Sequence, residues 1–325
     1  MQIRLLQTPA ELSEYDTFVR THEHGSLWQS LAWKTYQESL GREVRIYAAE
    51  SQDSGYDATA LVVIDTTIGG MSTWEIPRGP LSSDARRYSD LVAELHAIAK
   101  ASRCFAMYVS PMSRISLAHA RQSDRHIQPE ATRIVDISVA EEVILAQMHP
   151  KGRYNIGVAK KHGVTITEGT ENDLDAFYEL LQGTGGRDGF QISQKSHYAR
   201  FLASLEGSFM LLAYHAGMPI AGLMGVQWGQ TTIYYYGASS YEHRHLMAPY
   251  LLQWEAMRRT KARGAQHYDL LGISHDQASP DDPWWGITDF KRKFGGMVVS
   301  YPPEQMIVLK PALKMALDLK RRILG

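Results

Sequence analysis

The stretch that decides the fold is TTIYYYGASSYEHRHLMAPYLLQWEAMRRTKARGAQHYDLLG, which runs from Thr231 to Gly272. Its first residues predict a strand to Gly237, and its last residues predict a strand at positions 267–271. A helix is predicted between them, from Pro249 to about Arg263, and Gly264 ends it. This strand–loop–helix–strand order is typical of α/β proteins.

A similar unit lies about half the chain earlier. The patterns predict strands at 44–49, 58–65, 72–76 and 105–110 and helices at 9–20, 30–40 and 84–101. The third helix places Tyr88, Leu91, Val92, Leu95 and Ile98 on one face. Two units of the same order, together with a length of 325 residues, predict a duplicated domain.

The domain change is predicted near Asp136. A strand at 131–137, a helix at 141–148 and a basic segment at 149–163 connect the two units. The last helix, at 311–324, needs a surface on which to bury its apolar face, and we expect it to pack on the first domain. The first domain is therefore predicted to comprise residues 1–136 and 305–325, and the second residues 137–304.

The composition is that of an ordinary globular protein, with 44% hydrophobic and 21% charged residues. The single cysteine, Cys104, excludes a disulfide framework and a cysteine-based zinc site and suits the reducing cytoplasm. The first residues lack a signal-peptide pattern, and no apolar run approaches ~18 residues, so we expect a cytoplasmic protein without a transmembrane segment.

A second stretch, Gly286-Ile-Thr-Asp-Phe-Lys-Arg-Lys-Phe-Gly-Gly296, is the most informative about function. It predicts a basic, aromatic-rich turn with Phe290 and Lys291 at its mouth. Seven segments then occur in the order seen in one family: Gln29–Trp33, Arg78–Pro80, Lys151–Asn155, Arg187–Phe190, Ala248–Tyr250, Tyr268–Ile273 and Phe290–Gly296. On these segments the chain resembles the Fem family of peptidoglycan-bridge aminoacyltransferases, in its compact type without a helical arm.

The resemblance implies a fold, an activity and a catalytic pair. The fold would be two tandem acyl-CoA N-acyltransferase-like (GNAT-like) domains with mixed twisted sheets. The activity would move an amino acid from aminoacyl-tRNA to an amine of a peptidoglycan precursor, without a cofactor. Because the donor ester is already activated, the enzyme must position the amine and stabilise a tetrahedral oxyanion. Lys291 would supply the cation, and Phe290 would stack on a base or form a wall of the site.

The resemblance also implies a clamp for the muropeptide acceptor. We assign to it Lys34, Arg78, Tyr250, Lys195 and Ser110. Three of these depart from the family pattern: Lys34 lies one place after Trp33 rather than two, Ser110 stands where the family has an acidic residue, and Lys195 (or Arg200) replaces an arginine. The acceptor therefore remains open between a nucleotide-linked precursor, a lipid-linked precursor and an unrelated amine. A lipid-linked acceptor would entail peripheral membrane contact.

An RNA donor requires local positive charge, because the formal net charge of the chain is only -1. The predicted RNA-binding residues are Lys151, Arg153, Lys160, Lys161, Arg292 and Lys293. Two further basic clusters, at 258–263 and 320–322, would extend the track.

Other functions have weaker support in the sequence. An acyl-CoA-dependent N-acyltransferase needs glycines and backbone N–H groups to hold pyrophosphate. Here the loop at 244–249 lacks glycine, Pro249 removes an N–H donor, and the loop at 77–80 has a proline at each end. A non-catalytic relative is the other alternative, suggested by Ser110. The His22-Glu-His24 and His243-Arg-His245 pairs lack a carboxylate at a recognised metal-site spacing.

Overall fold

The computed structural model describes residues 3–51, 55–66, 68–82, 84–125, 127–189, 191–274, 281–282 and 284–324. The strands, numbered in chain order, are β1 Ile3–Leu5, β2 Glu43–Glu50, β3 Tyr56–Thr66, β4 Ser72–Ile76, β5 Cys104–Val109, β6 Ala120–Gln122, β7 Ala131–Asp136, β8 Thr165–Gly169, β9 Ser208–His215, β10 Met218–Trp228, β11 Thr231–Ser239, β12 His267–Gly272, β13 Met297–Ser300 and β14 Gln305–Val308. The α-helices are α1 Pro9–Thr21, α2 Leu31–Ser39, α3 Ala85–Ala101, α4 Glu141–Gln147, α5 Pro150–Lys161, α6 Leu174–Asp188, α7 Lys195–Ser204, α8 Ala248–Ala262, α9 Trp285–Arg292 and α10 Pro311–Leu324.

The chain divides into two compact units, Met1–Glu130 with Tyr301–Gly325, and Ala131–Ser300. The predicted boundary near Asp136 therefore needs correction. It falls before β7 rather than after it, because β7 pairs with β12 and β13 of the second unit. At the other crossing the chain returns to the first unit at Tyr301, ahead of β14.

Both units contain a mixed sheet with the same strand pattern. The described strands are ordered β1-β2-β3-β4-β5-β14-β6 in the first unit and β8-β9-β10-β11-β12-β7-β13 in the second. In each sheet one neighbouring pair is parallel, β4 with β5 and β11 with β12, and the other pairs are antiparallel. A helix, α3 or α8, connects the two parallel strands. The identical order confirms the predicted α/β class and the repeat of topology.

The two halves exchange one strand each. The chain leaves edge strand β6 of the first sheet and enters the second as β7, and it leaves edge strand β13 of the second and re-enters the first as β14. β7 then lies beside β12, and β14 lies beside β5. Local periodicity cannot show this exchange, because both partners of each pair are distant in sequence.

The helices bury the faces that their periodicity predicts. In α3, Tyr88, Leu91, Val92 and Leu95 are buried against the first sheet, and Ile98 is partly buried beside them. Ser30 caps α2, where its side chain accepts a hydrogen bond from the Trp33 N–H at 3.1 Å.

The apolar face of α10 is only partly covered. Leu313 packs on a small cluster that includes Phe105 and Met306 of the first unit. Within the described part of the chain, none of the helices combines the length and apolar character that crossing a bilayer requires.

Candidate active site in the second unit

The second unit has a gap between its two parallel strands. β11 and β12 pair only over three positions, from Thr231 opposite His267 to Ile233 opposite Asp269, and the remainder of β11 has no described partner on that side. In the first unit the equivalent strands stay paired to their ends, and the Ser110 N–H continues the ladder by donating to the Ile76 carbonyl at 3.1 Å. A gap between parallel strands exposes backbone polar groups that need other partners.

A β-bulge shapes the β12 side of the gap. Pairing with β7 shifts register between Asp269 and Gly272, and Leu271 has φ 58°, a conformation that is costly for a branched residue. The Asp269 carboxylate holds the bulge: its Oδ1 accepts the Leu271 N–H at 2.7 Å and the Thr132 hydroxyl. The Gly272 carbonyl, at the end of the bulged segment, accepts a hydrogen bond from a side chain.

Lys291 fills the gap. Its side chain extends from α9, and its Nζ donates to the Gly272 carbonyl at 2.6 Å. The ammonium lies 5.8 Å from the ring centroid of Tyr234 and 5.5 Å from that of Trp284, within range of cation–π attraction. Burial, opposed by the negative charge of Asp269, lowers the pKa of Lys291 to about 7. The lysine is 4% exposed, so the predicted open basic turn is instead a helix with its lysine directed inward.

Hydrogen bonds and a ring contact hold α9 against the end of β12. Asp282 accepts hydrogen bonds from the Trp284 N–H at 2.7 Å and the Ser274 hydroxyl at 3.0 Å, and the Ser274 N–H donates to Thr288 at 2.8 Å. The Trp284 ring lies directly on Gly272, where an added Cβ would stand 2.6 Å from it. Trp284 is thus a packing anchor between α9 and β12.

A pocket of about 210 Å³ lies beside the gap. Tyr234 of β11, Tyr250 of α8 and Phe290 of α9 contribute to its lining. The Tyr250 and Phe290 rings are 5.2 Å apart, and both contact Phe294, at 5.7 and 5.0 Å. The structure therefore brings together two of the predicted site residues. Lys291 is not among the lining residues, but its ammonium lies 5.8 Å from the ring centroid of Tyr234, which is one of them.

The glycines of the Phe290–Gly296 segment have a packing function. Gly296 has φ 76°, and an added Cβ would overlap the Ile134 carbonyl. Arg133 donates to the carbonyls of Gly295 and Gly296 at 3.0 and 2.9 Å. These contacts fix the chain immediately after α9.

The Lys151–Asn155 segment supports the same region, and this gives a stability prediction. In α5 an added Cβ on Gly152 would overlap the Lys293 carbonyl, whereas one on Gly157 would meet nothing within 4 Å. Gly152→Ala should lower the free energy of unfolding by about 1–3 kcal/mol. Gly157→Ala should raise it by up to about 1 kcal/mol, since alanine is the better helix former. Urea unfolding of the two variants would test this, and equal effects would contradict it.

Lys291 also predicts a pH dependence of stability. In the unfolded chain its pKa returns to 10.5, so between pH 7 and 10.5 the unfolded state binds more protons and stability rises with pH. From pH 7 to pH 9, the free energy of unfolding of wild type should increase by about 2 kcal/mol relative to Lys291→Met. Urea unfolding of both proteins at the two pH values measures this difference. If the difference in free energy of unfolding between wild type and Lys291→Met is the same at both pH values, the pKa of Lys291 is not lowered in the folded protein.

The residues assigned to the acceptor clamp lie in both units. In the first, Arg78 is buried with φ 50°, donates to the Pro129 carbonyl at 2.6 Å and stacks 3.8 Å from the Tyr301 ring centroid. Lys34 pairs with Glu38 at 2.6 Å, one turn along α2. In the second unit Lys195 pairs with Asp175 at 2.5 Å.

Ser110 has a carboxylate as its neighbour. Its hydroxyl donates to Glu304 Oε2 at 3.2 Å, from 194 residues away in sequence. Arg125 donates to the same carboxylate at 2.9 and 3.0 Å and to Glu75 at 2.5 Å, and stacks 3.3 Å from the Tyr108 ring centroid. Sequence reasoning missed Glu304 and Arg125, because no local spacing connects them to Ser110.

The predicted RNA-binding residues have different surroundings. Lys151, Lys160 and Lys161 are exposed on α5. Arg153 donates to the carbonyls at the end of α4. Arg292 and Lys293 share the Asp289 carboxylate, at 2.8 and 2.5 Å. Lys293 is buried, so the structure does not present it to a ligand.

The other two basic clusters differ in what the structure describes of them. All four basic residues at 258–263 have partners within the second unit: Arg258 pairs with Glu141 and Glu255, Arg259 and Arg263 pair with Glu168, and Lys261 donates to the carbonyls of Ile137, Ser138 and Val139. The predicted cluster at 320–322 falls outside the described side chains, and Phe190 outside the described residues.

The structure gives no metal-binding or nucleophilic role to His243 or Cys104. His243 lies 3.0 Å from the Ser240 hydroxyl, and the described residues include no group of His, Cys, Asp and Glu that could hold a metal ion. Cys104 is buried, and burial raises the pKa of its thiol to about 11.

Comparisons with known proteins identify a family, a relative of similar sequence and structures of similar fold. A model of the FemAB family matches residues 10–137, 120–215 and 206–318. The Lipid II:glycine glycyltransferase of Staphylococcus haemolyticus (strain JCSC1435) is 22% identical over 423 aligned positions, which cover 96% of this chain and 98% of that protein. The crystal structure of FemX has a TM-score of 0.81 at 20% identity and covers 97% of this chain and 99% of its own. A tandem GNAT protein from the clavulanic acid biosynthesis pathway has a TM-score of 0.57 at 10% identity, covering 95% and 98%. These structures confirm the predicted tandem GNAT-like fold.

Proposed function

Because the chain belongs to the FemAB family, we propose that it is an aminoacyltransferase that moves an amino acid from aminoacyl-tRNA to an amine of a peptidoglycan precursor. The observation that carries this proposal is Lys291, held in the strand gap next to the pocket of Tyr250 and Phe290. Attack of an amine on the donor ester places negative charge on the carbonyl oxygen. A desolvated ammonium next to that oxygen stabilises the transition state more than the ground state.

The surroundings of Lys291 suit this role. The Gly272 carbonyl and the two aromatic rings restrain the ammonium without neutralising it. The lowered pKa means that the ammonium releases its proton more readily than a lysine in water. It can therefore donate that proton to the ribose oxygen as the ester bond breaks, and the neutral lysine can then take up the proton that the attacking nitrogen loses. Phe290 would form the wall against which the donor end lies.

The acceptor is proposed to be the lipid-linked precursor, since the curated relative is named Lipid II:glycine glycyltransferase. Arg78, Lys34, Tyr250 and Lys195 remain the proposed acceptor contacts. Beside Ser110, the carboxylate of Glu304 supplies the acidic group that the family pattern leads one to expect there. The exposed lysines of α5 are proposed to contact the RNA backbone.

An acyl-CoA-dependent reaction has less support. In the first unit the parallel strands remain paired, so they leave no gap for a pantetheine arm. In the second unit the gap holds Lys291, and α8 begins with Met247 as its cap and a proline in its first turn, which reduces the N–H groups available to a pyrophosphate.

The test uses the purified chain with one charged tRNA at a time and with either lipid II or the soluble nucleotide-linked muropeptide. We expect mass spectrometry to show addition of one or more amino acid residues with at least one charged tRNA. No addition with any charged tRNA, together with thermal stabilisation by coenzyme A and acyl transfer from an acyl-CoA, would contradict the proposal and support the alternative.

A further inference from the structure

The pocket of the second unit has a basic rim that the proposed reaction does not yet use. Arg187 of α6 and Arg244 line it together with His243, and none of its described lining residues is Asp or Glu. A pocket lined by cations and no carboxylate complements an anionic ligand.

An exposed aromatic ring lies between the two arginines. Tyr241 is 57% exposed. The Arg244 guanidinium lies 4.0 Å from its ring centroid, and that of Arg187 lies 5.7 Å from it. Arg244 also donates to the Tyr241 carbonyl at 3.0 Å, and within the described residues no carboxylate forms an ion pair with it. An exposed tyrosine flanked by arginines is the arrangement on which unpaired bases stack while the cations contact phosphates.

The size of the pocket limits what can enter it. Its volume of about 210 Å³ is below the roughly 300 Å³ at which pockets for drug-sized ligands begin. An aminoacyl group with part of a ribose fits such a volume, whereas a complete nucleotide does not. The base and phosphates of a donor whose reactive end is inside must therefore lie outside it. Tyr241 is the exposed ring that contacts two of the arginines lining the pocket.

We propose that Tyr241, Arg187 and Arg244 form the docking platform for the single-stranded 3′ end of the donor RNA. Tyr241 stacks a base near the 3′ end, the two guanidiniums contact adjacent phosphates, and the ester enters the pocket toward Phe290. This inference rests on the proposed function and assigns the donor to a surface distinct from the lysines of α5. These three residues are positioning residues, because they bind the base and the phosphates and take no part in the reaction at the ester.

The first experiment measures binding of an RNA hairpin that ends in the single-stranded 3′ end of a tRNA. The same hairpin without the overhang is the reference. Tyr241→Ala should weaken binding of the overhang hairpin by about 10- to 100-fold, and Tyr241→Phe should bind like wild type because the ring is kept. Neither substitution should change binding of the blunt hairpin. Equal binding of the overhang hairpin by wild type and Tyr241→Ala would overturn the proposal.

The salt dependence separates the arginines from the tyrosine. Arg244→Ala should reduce the slope of log K against log[salt] by about 0.7, the value for one phosphate contact to a single strand. Tyr241→Ala should leave the slope unchanged, and Arg86→Ala, which removes an exposed arginine from α3 of the first unit, should change neither affinity nor slope. An Arg244→Ala slope equal to that of wild type would overturn the phosphate contact.

The outcome distinguishes this inference from the proposed function. If wild type transfers amino acids and Tyr241→Ala has an unchanged KM for charged tRNA, the proposed docking platform is overturned and the proposed aminoacyltransferase function is retained. If coenzyme A, rather than the RNA overhang, binds in a manner that requires Tyr241, the site accepts a soluble nucleotide and the RNA assignment is overturned. For Tyr241→Ala we expect a raised KM for charged tRNA, with kcat within about twofold of wild type.

Discussion

Lys291→Met should lower kcat for aminoacyl transfer by about 10²- to 10³-fold, the usual effect of removing one group that stabilises an oxyanion. Methionine is unbranched and close in length, so it can fill the space between Tyr234 and Trp284 without the charge. The loss should be in kcat, with KM for both substrates little changed, because the interaction forms in the transition state. Steady-state kinetics at saturating donor and acceptor measure it.

A lysine with a similar hydrogen bond gives the control. Lys310 also donates its Nζ to a backbone carbonyl, that of Ser102, at 3.3 Å, but in the first unit. Lys310→Met should leave kcat within about twofold of wild type. If Lys291→Met retains wild-type kcat while its melting temperature and RNA binding are normal, the cation takes no part in the chemical step.

The second large effect is expected on stability. Arg125→Met should destabilise the first unit by about 3–5 kcal/mol, because it leaves the buried carboxylate of Glu304 without its cation. The Glu304 side chain is 5% exposed, so water cannot replace the guanidinium. Hydrogen exchange of the β5 and β14 amides, which pair with each other, reports on this unit directly.

Two variants check the cause of that loss. Adding Glu304→Gln to Arg125→Met should recover more than half of the lost stability, since the unpaired charge is removed. Arg45→Met breaks a more exposed pair with Glu43 and should cost less than about 1 kcal/mol. If the double variant is as unstable as the single one, the loss comes from packing against Tyr108 rather than from the buried charge.

Much of the fold could be predicted because its signals are local. The face of α3 and the cap at Ser30 each depend on residues within a few positions, and both are present in the structure. The position of the domain boundary depends on whether β7 pairs with strands of the first unit or of the second. Periodicity gives no information about that pairing, because the partners of β7, β12 and β13, are distant in sequence. No elements are predicted from the sequence between 165 and 228, although this segment contains α6 and the largely buried strands β9 and β10.

The site was predicted in part. The contact between Tyr250 and Phe290 joins two residues that the family pattern singled out. The burial of Lys291 could not be predicted, because a Lys-Arg-Lys run is usually solvated. Its acceptor, the Gly272 carbonyl, is 19 residues away in sequence and follows a bulge that periodicity does not show. The Glu304 carboxylate beside Ser110 is supplied by a segment from beyond the entire second unit.

The central claim is that the donor ester reacts next to the Lys291 ammonium. The most direct measurement is a crystal structure of the chain with a stable donor analogue, an RNA hairpin whose 3′ overhang carries the amino acid through an amide. We expect the amide carbonyl to lie inside the pocket of Tyr250 and Phe290, with Lys291 Nζ as the nearest cation. An analogue bound outside that pocket, or with its carbonyl facing another cation, would contradict it.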